Sequence, residues 1–267
     1  MNELWTLKLD TQEWLMSPRP ESAGTDAWPR GRYLMSVWTN PTGQAYIFGG
    51  LTASAGAMRS IAPLTECLPL FAGSGTLADM WRVDPTRDSR PNDAPFTHIT
   101  GALEVNAPPN YCRSPPCDGG TPGSRYGAAA WVASSGRLWV FGGRGLVTPG
   151  RVRCATACAY LSDYWSVDPS TGDWRWEGGF NRQAVGGVYQ HRANSGAHEH
   201  PGSRLMAAAW TDESGAAYLF GGLGYVAPSE GGASPAARLN VVLRPLIDQS
   251  AVLFAGSLND LWTLNMG

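Results

Sequence analysis

Three segments of 22 residues align in this chain without a gap, and that self-similarity constrains the fold more than any other feature. They are PRGRYLMSVWTNPTGQAYIFGG (29–50), PGSRYGAAAWVASSGRLWVFGG (122–143) and PGSRLMAAAWTDESGAAYLFGG (201–222). With Arg32, Arg125 and Arg204 as origins, each has Pro three residues before and Trp38, Trp131 or Trp210 six residues after. Each closes on a glycine pair: Gly49 and Gly50, Gly142 and Gly143, Gly221 and Gly222. A second block follows each pair as LADMWRVDP (77–85), LSDYWSVDP (161–169) and LNDLWTLN (258–265), and a fourth copy, NELWTLKLD (2–10), opens the chain. Trp5, Trp81, Trp165 and Trp262 mark this block. Ten of the twelve tryptophans occupy repeat positions, so they belong to architecture and do not mark a ligand cage.

Each block reads as a short strand. The first is rich in small residues, the second (AYIF, LWVF, AYLF) is apolar on both faces, and the loops between them are hairpin turns. The third strand carries Asn or Asp, then Trp two or three residues later, and the fourth follows a turn such as DPSTGD before Trp174. In the first full unit that turn is expanded and Phe96 stands where the tryptophan is expected. Glycine and proline make up about a fifth of the residues, which favours turns over long helices.

The glycine doublet after an aromatic-apolar strand, the Asp-Pro turn and the following Trp resemble the kelch repeat. The resemblance implies an all-β, kelch-type β-propeller built from four-stranded blades. Here it would be incomplete: a partial blade (1–18), two full four-stranded blades (29–100 and 122–178) and a C-terminal blade lacking its last strand (201–267). The spacing departs from the family's, since 93 residues separate Arg32 from Arg125 and 79 separate Arg125 from Arg204, against about 50 per kelch unit. The ends supply five strands where one blade needs four, so they do not join cleanly into a small closed ring and the chain is expected to be a fragment; the alternative is an open array completed by a partner or a second copy.

Antiparallel alternation sends the connections to two faces in turn. The long insertions (51–76, 98–121, 144–160, 177–200 and 223–257) are all of one kind and are expected on one face, where binding usually resides. Arg32, Arg125 and Arg204 begin the first strands on that face. Kelch substrate adaptors of ubiquitin ligases bind acidic motifs through arginines near the channel mouth, and the resemblance implies the same role for these three. The competing reading pairs them with Asp79, Asp163 or Asp260 inside the scaffold.

All five cysteines fall in the insertions. Cys112 and Cys117, and Cys154 and Cys158, are spaced for local disulfides, leaving Cys67 unpaired. Local pairs point to an oxidising, extracellular compartment; the odd count and the absence of a valid N-glycosylation sequon point the other way.

His191, His198 and His200 form the one metal-like cluster, in HRANSGAHEH, and a solvated loop is its ordinary explanation. Copper oxidases related to galactose oxidase need a cross-linked Tyr–Cys pair, a second Tyr and two His, a set that cannot be assigned here. No cofactor and no catalytic residue is expected. The formal charge of −2 excludes a basic field for nucleic acid, and no apolar run is long enough to span a membrane. The sequence thus predicts a scaffold binding a protein or peptide, an acidic one included. The alternative is a secreted propeller enzyme, galactose oxidase-like or carbohydrate-active, whose site lies partly outside this segment.

Overall fold

The computed structural model describes residues 3–17, 27–40, 43–52, 75–84, 95–146, 158–182, 185–188, 200–225 and 255–265. All regular structure among these residues is antiparallel strand. No helix is long and apolar enough to cross a membrane.

Three sheets repeat one plan. The first unit orders Ser36–Thr39, Ala45–Phe48, Met80–Val83 and Phe96–Thr100 side by side. The second orders Ala129–Val132, Leu138–Phe141, Tyr164–Val167 and Trp174–Gly178, and the third Ala208–Thr211, Ala216–Phe220 and Leu261–Asn265. The register is shared: Trp38 opposes Tyr46, Trp131 opposes Trp139 and Trp210 opposes Tyr218. Phe96 pairs Val83 as Trp174 pairs Val167. Leu4–Lys8 and Glu13–Ser17 form a separate hairpin in the same third-to-fourth register, with Leu7 opposite Trp14.

The glycine pairs do more than end a strand. Gly49 and Gly50 have φ of 65° and 103°, a left-handed bend that an L side chain resists. A Cβ on Gly49 would stand 2.5 Å from the Arg125 carbonyl oxygen, so the bend also admits the backbone of the next unit. Beyond the bend the chain resumes as a strand, which differs from the expectation that a loop starts there. Leu51–Thr52 pairs Gly75–Thr76. Arg144–Leu146 lies between Arg125–Tyr126 and Cys158–Tyr160, and Leu223–Tyr225 lies between Arg204–Leu205 and Ala255–Ser257. The cause is hydrogen-bonding need: backbone leaving a buried bend must find partners, and the returning end of the insertion supplies them.

The core lies between the units. Trp38, Phe48 and Met80 of the first pack with Val140, Trp165 and Trp174 of the second, and Ala128 and Ala130 close against them. The other face of the second unit, with Trp131 and Phe141, packs with Ala217 and Leu219 of the third. A sheet covered on both faces needs apolar side chains on both, which is why Leu138–Phe141 is buried throughout.

Candidate functional site

The insertions leave each unit between its second and third strands, so their paired stems stand at the same end of every sheet. At the base of each stem lies one constellation. Arg32 donates through both terminal nitrogens to Asp79, at 2.8 and 2.6 Å, and Trp81 Nε1 donates to the same carboxylate at 2.6 Å. Arg125, Asp163 and Trp165 repeat it with arginine bonds of 2.9 Å, and Arg204, Asp260 and Trp262 repeat it again at 2.6 and 2.8 Å. Each arginine also donates to the carbonyl of its unit's first paired glycine: Gly49, Gly142 or Gly221.

The arginines expected to hold an acidic partner are therefore placed otherwise. Their side chains are 4%, 1% and 1% exposed, and their planar forks are filled by the chain's own carboxylates. A guanidinium buried this deeply needs such a counter-charge, and a bidentate carboxylate supplies charge and geometry together. Burial alone would lower the pKa of Arg125; the adjacent Asp163 carboxylate outweighs it and holds the group above its ordinary value.

Tyr111, which the sequence reading passed over, completes the second constellation. Its hydroxyl donates to Asp163 at 2.7 Å, and its ring packs on Trp165 and Trp176. Burial, reinforced by Asp163, pushes its pKa far above the usual phenol value. Nothing in the repeat marks this tyrosine, because it comes from the 98–121 insertion. That insertion is not a loop standing on the face: its Cys117–Asp118 segment pairs with Trp174–Gly178 as a fifth strand. Cys112 and Cys117 are joined in a disulfide with Cα atoms 6.4 Å apart. Asn106 ties the same insertion to the first unit, its backbone N–H and side-chain Oδ1 both bonded to Thr76.

Cys154, Cys67, His191 and His198 lie outside the described residues. Cys158 begins a stem strand. His200 bridges Val188, and its ring meets Phe180 edge-on at 4.7 Å. Among the described residues no three His, Cys, Asp or Glu side chains gather as metal ligands.

At the opposite end of the second sheet a cleft of about 510 Å³ is lined by Thr100, Asp118, Arg137, Asp168, Asp173 and Trp174, among others. Asp168 lies below the usual carboxylate range because the Ser170 hydroxyl and amide donate to it. These bonds fix the turn, so the carboxylate serves the backbone there.

The fold and these sites define an all-β protein of repeated antiparallel sheets carrying insertions. No family model matches the chain, and no curated protein matches it. Among solved structures it aligns with a fungal alcohol oxidase of the AA5 family, described in complex with copper. The two are 14% identical, with a TM-score of 0.26, over 84% of this chain and 54% of the other. The chain thus spans about half of that protein's length, and a likeness at this level carries no functional argument.

Proposed function

We propose that the chain is a segment of a kelch-type propeller and acts as a binding scaffold for a protein or peptide, engaged by the insertions at the stem end of the units. The repeated stem is the observation that carries this reading. In the second and third units an insertion starts and finishes on a three-stranded ladder, one outer strand of which begins at the buried arginine. A loop whose two ends are already fixed loses less freedom when a partner arrives, which is the usual advantage of presenting contacts on a rigid frame. With the arginine forks closed by aspartate, specificity falls to the insertions themselves, and an acidic ligand is no longer favoured.

The test replaces residues 147–157 and 226–254 with short Gly/Ser linkers, leaving both stems in place. Peptides selected by display against the unaltered chain should bind the linker variant at least ~30-fold more weakly, the loss expected when central contacts are removed. The variant's circular dichroism should be unchanged. Equal binding by the folded variant would remove the insertions from the site. Stoichiometric copper, iron or zinc in the purified chain would favour the metalloenzyme reading.

A further inference from the structure

The joints between units are made by one repeated set of bonds. Trp38 Nε1 donates to the Trp139 carbonyl at 3.0 Å, and Trp131 Nε1 donates to the Tyr218 carbonyl at 2.9 Å. Gly50 N–H donates to the Arg125 carbonyl, as Gly143 N–H does to that of Arg204. In return, Arg125 N–H donates to the Leu77 carbonyl and Gly127 N–H to that of Leu34; Arg204 to Leu161 and Met206 to Gly127 repeat this. The unit ahead thus offers a tryptophan and a glycine as donors and two carbonyls as acceptors, and the unit behind answers each.

The third unit carries the ahead-facing half of this set, and none of the described residues answers it. Its members are Trp210, Gly222 N–H and the Leu258 and Met206 carbonyls. Among the described residues none of the three backbone groups has a partner in this direction. Trp210 is 45% exposed, whereas Trp38 and Trp131 at the same register are 2% and 4% exposed. The first unit carries the behind-facing half: Arg32 N–H and carbonyl, Leu34 N–H and the Tyr46 carbonyl, which hold the positions of Arg125, Gly127 and Trp139. On that face two large apolar side chains are exposed. Tyr33 is 46% and Val37 52% exposed, where Tyr126 is 3% exposed and Ala130 packs into the joint.

We infer that the third unit of one copy docks head-to-tail on the first unit of a second copy, extending the same joint between molecules. Donor meets acceptor at every position of the set, and the apolar faces exposed at the two ends correspond to faces buried inside the chain. Such a contact is heterologous, so it either closes into a ring or propagates.

Sedimentation velocity on the full 267-residue chain across a concentration series tests this. A mass of two copies or more at micromolar concentration is expected. Trp210→Asp blocks only the tail and Val37→Asp only the head; each side chain is at the surface, so each variant should keep the wild-type circular dichroism. Each alone should sediment as a single copy, with an apparent dissociation constant at least ~30-fold higher, the loss for an interface hot spot. Mixing the two should restore a two-copy species, because one intact head then meets one intact tail. A wild-type chain that stays single at every concentration overturns the proposal. So does association that survives either substitution, or a mixture that stays single, since that would indicate a self-complementary face instead.

Discussion

Asp163 accepts bonds from Arg125, Trp165 and Tyr111 at once and is fully buried, so it joins three elements through one carboxylate. Asp163→Asn leaves the Arg125 cation buried without its counter-charge and should cost about 3–5 kcal/mol in urea denaturation. Asp260→Asn should cost less, because the Asp260 side chain is 16% exposed and water can replace part of the lost interaction. Tyr111→Phe removes a bond to a charged acceptor and should cost about 1.5–3 kcal/mol. The sign of its pH dependence follows from the raised folded-state pKa. Tyr111 stabilises the fold fully below the unfolded phenol value of about 10 and loses that contribution as pH rises beyond it. Ultraviolet titration should therefore show a late tyrosine component that Tyr111→Phe reduces by one phenol, the remainder coming from Tyr164, Tyr218 and Tyr225, which are also raised. At the glycines, Gly136→Ala meets only its φ of 82° and should cost about 1–2 kcal/mol. Gly49→Ala should cost more, since its Cβ would press on the Arg125 carbonyl and the joint would have to open.

The strands of the repeat could be read from its register, and Trp174, Trp165 and the hairpin turns fall where the pattern puts them. The paired stems could not, because two-residue strands such as Leu51–Thr52 and Gly75–Thr76 are defined by partners 23 and 25 residues apart and not by any local pattern. The fifth strand is hidden for the same reason. Cys117–Asp118 gains its place from the disulfide and from the free edge of Trp174–Gly178. Reducing Cys112–Cys117 should cost about 2 kcal/mol for so short a loop. The Cys117 and Asp118 amides should then exchange with deuterium faster than those of Trp174–Gly178. Leu4–Lys8 and Glu13–Ser17 leave Trp5 and Trp14 more than half exposed. A two-stranded ribbon with so little cover is marginal, and deletion of residues 1–17 should leave the melting temperature within about 2 °C.

Among the described residues the second unit alone is covered on both faces by neighbouring units, so stability should peak there and fall toward both ends, as in arrays held by nearest-neighbour contacts. Hydrogen exchange in dilute solution should find Leu138–Phe141 the last strand to open. At higher concentration, peptides covering Ser36–Thr39 and Ala208–Thr211 should gain protection together if the two end faces meet between copies. The sequence by itself determined the repeat, the all-β class, the register of the main strands and the structural role of the tryptophans, because these follow from local spacing and alternation. Only the tertiary structure decided what the three arginines do. A guanidinium near the start of a strand can equally face a ligand or a carboxylate 38 to 56 residues away, and which it meets depends on where the third strand's aspartate arrives. In all three units that aspartate closes the fork, so the charges hold the insertion stems in place.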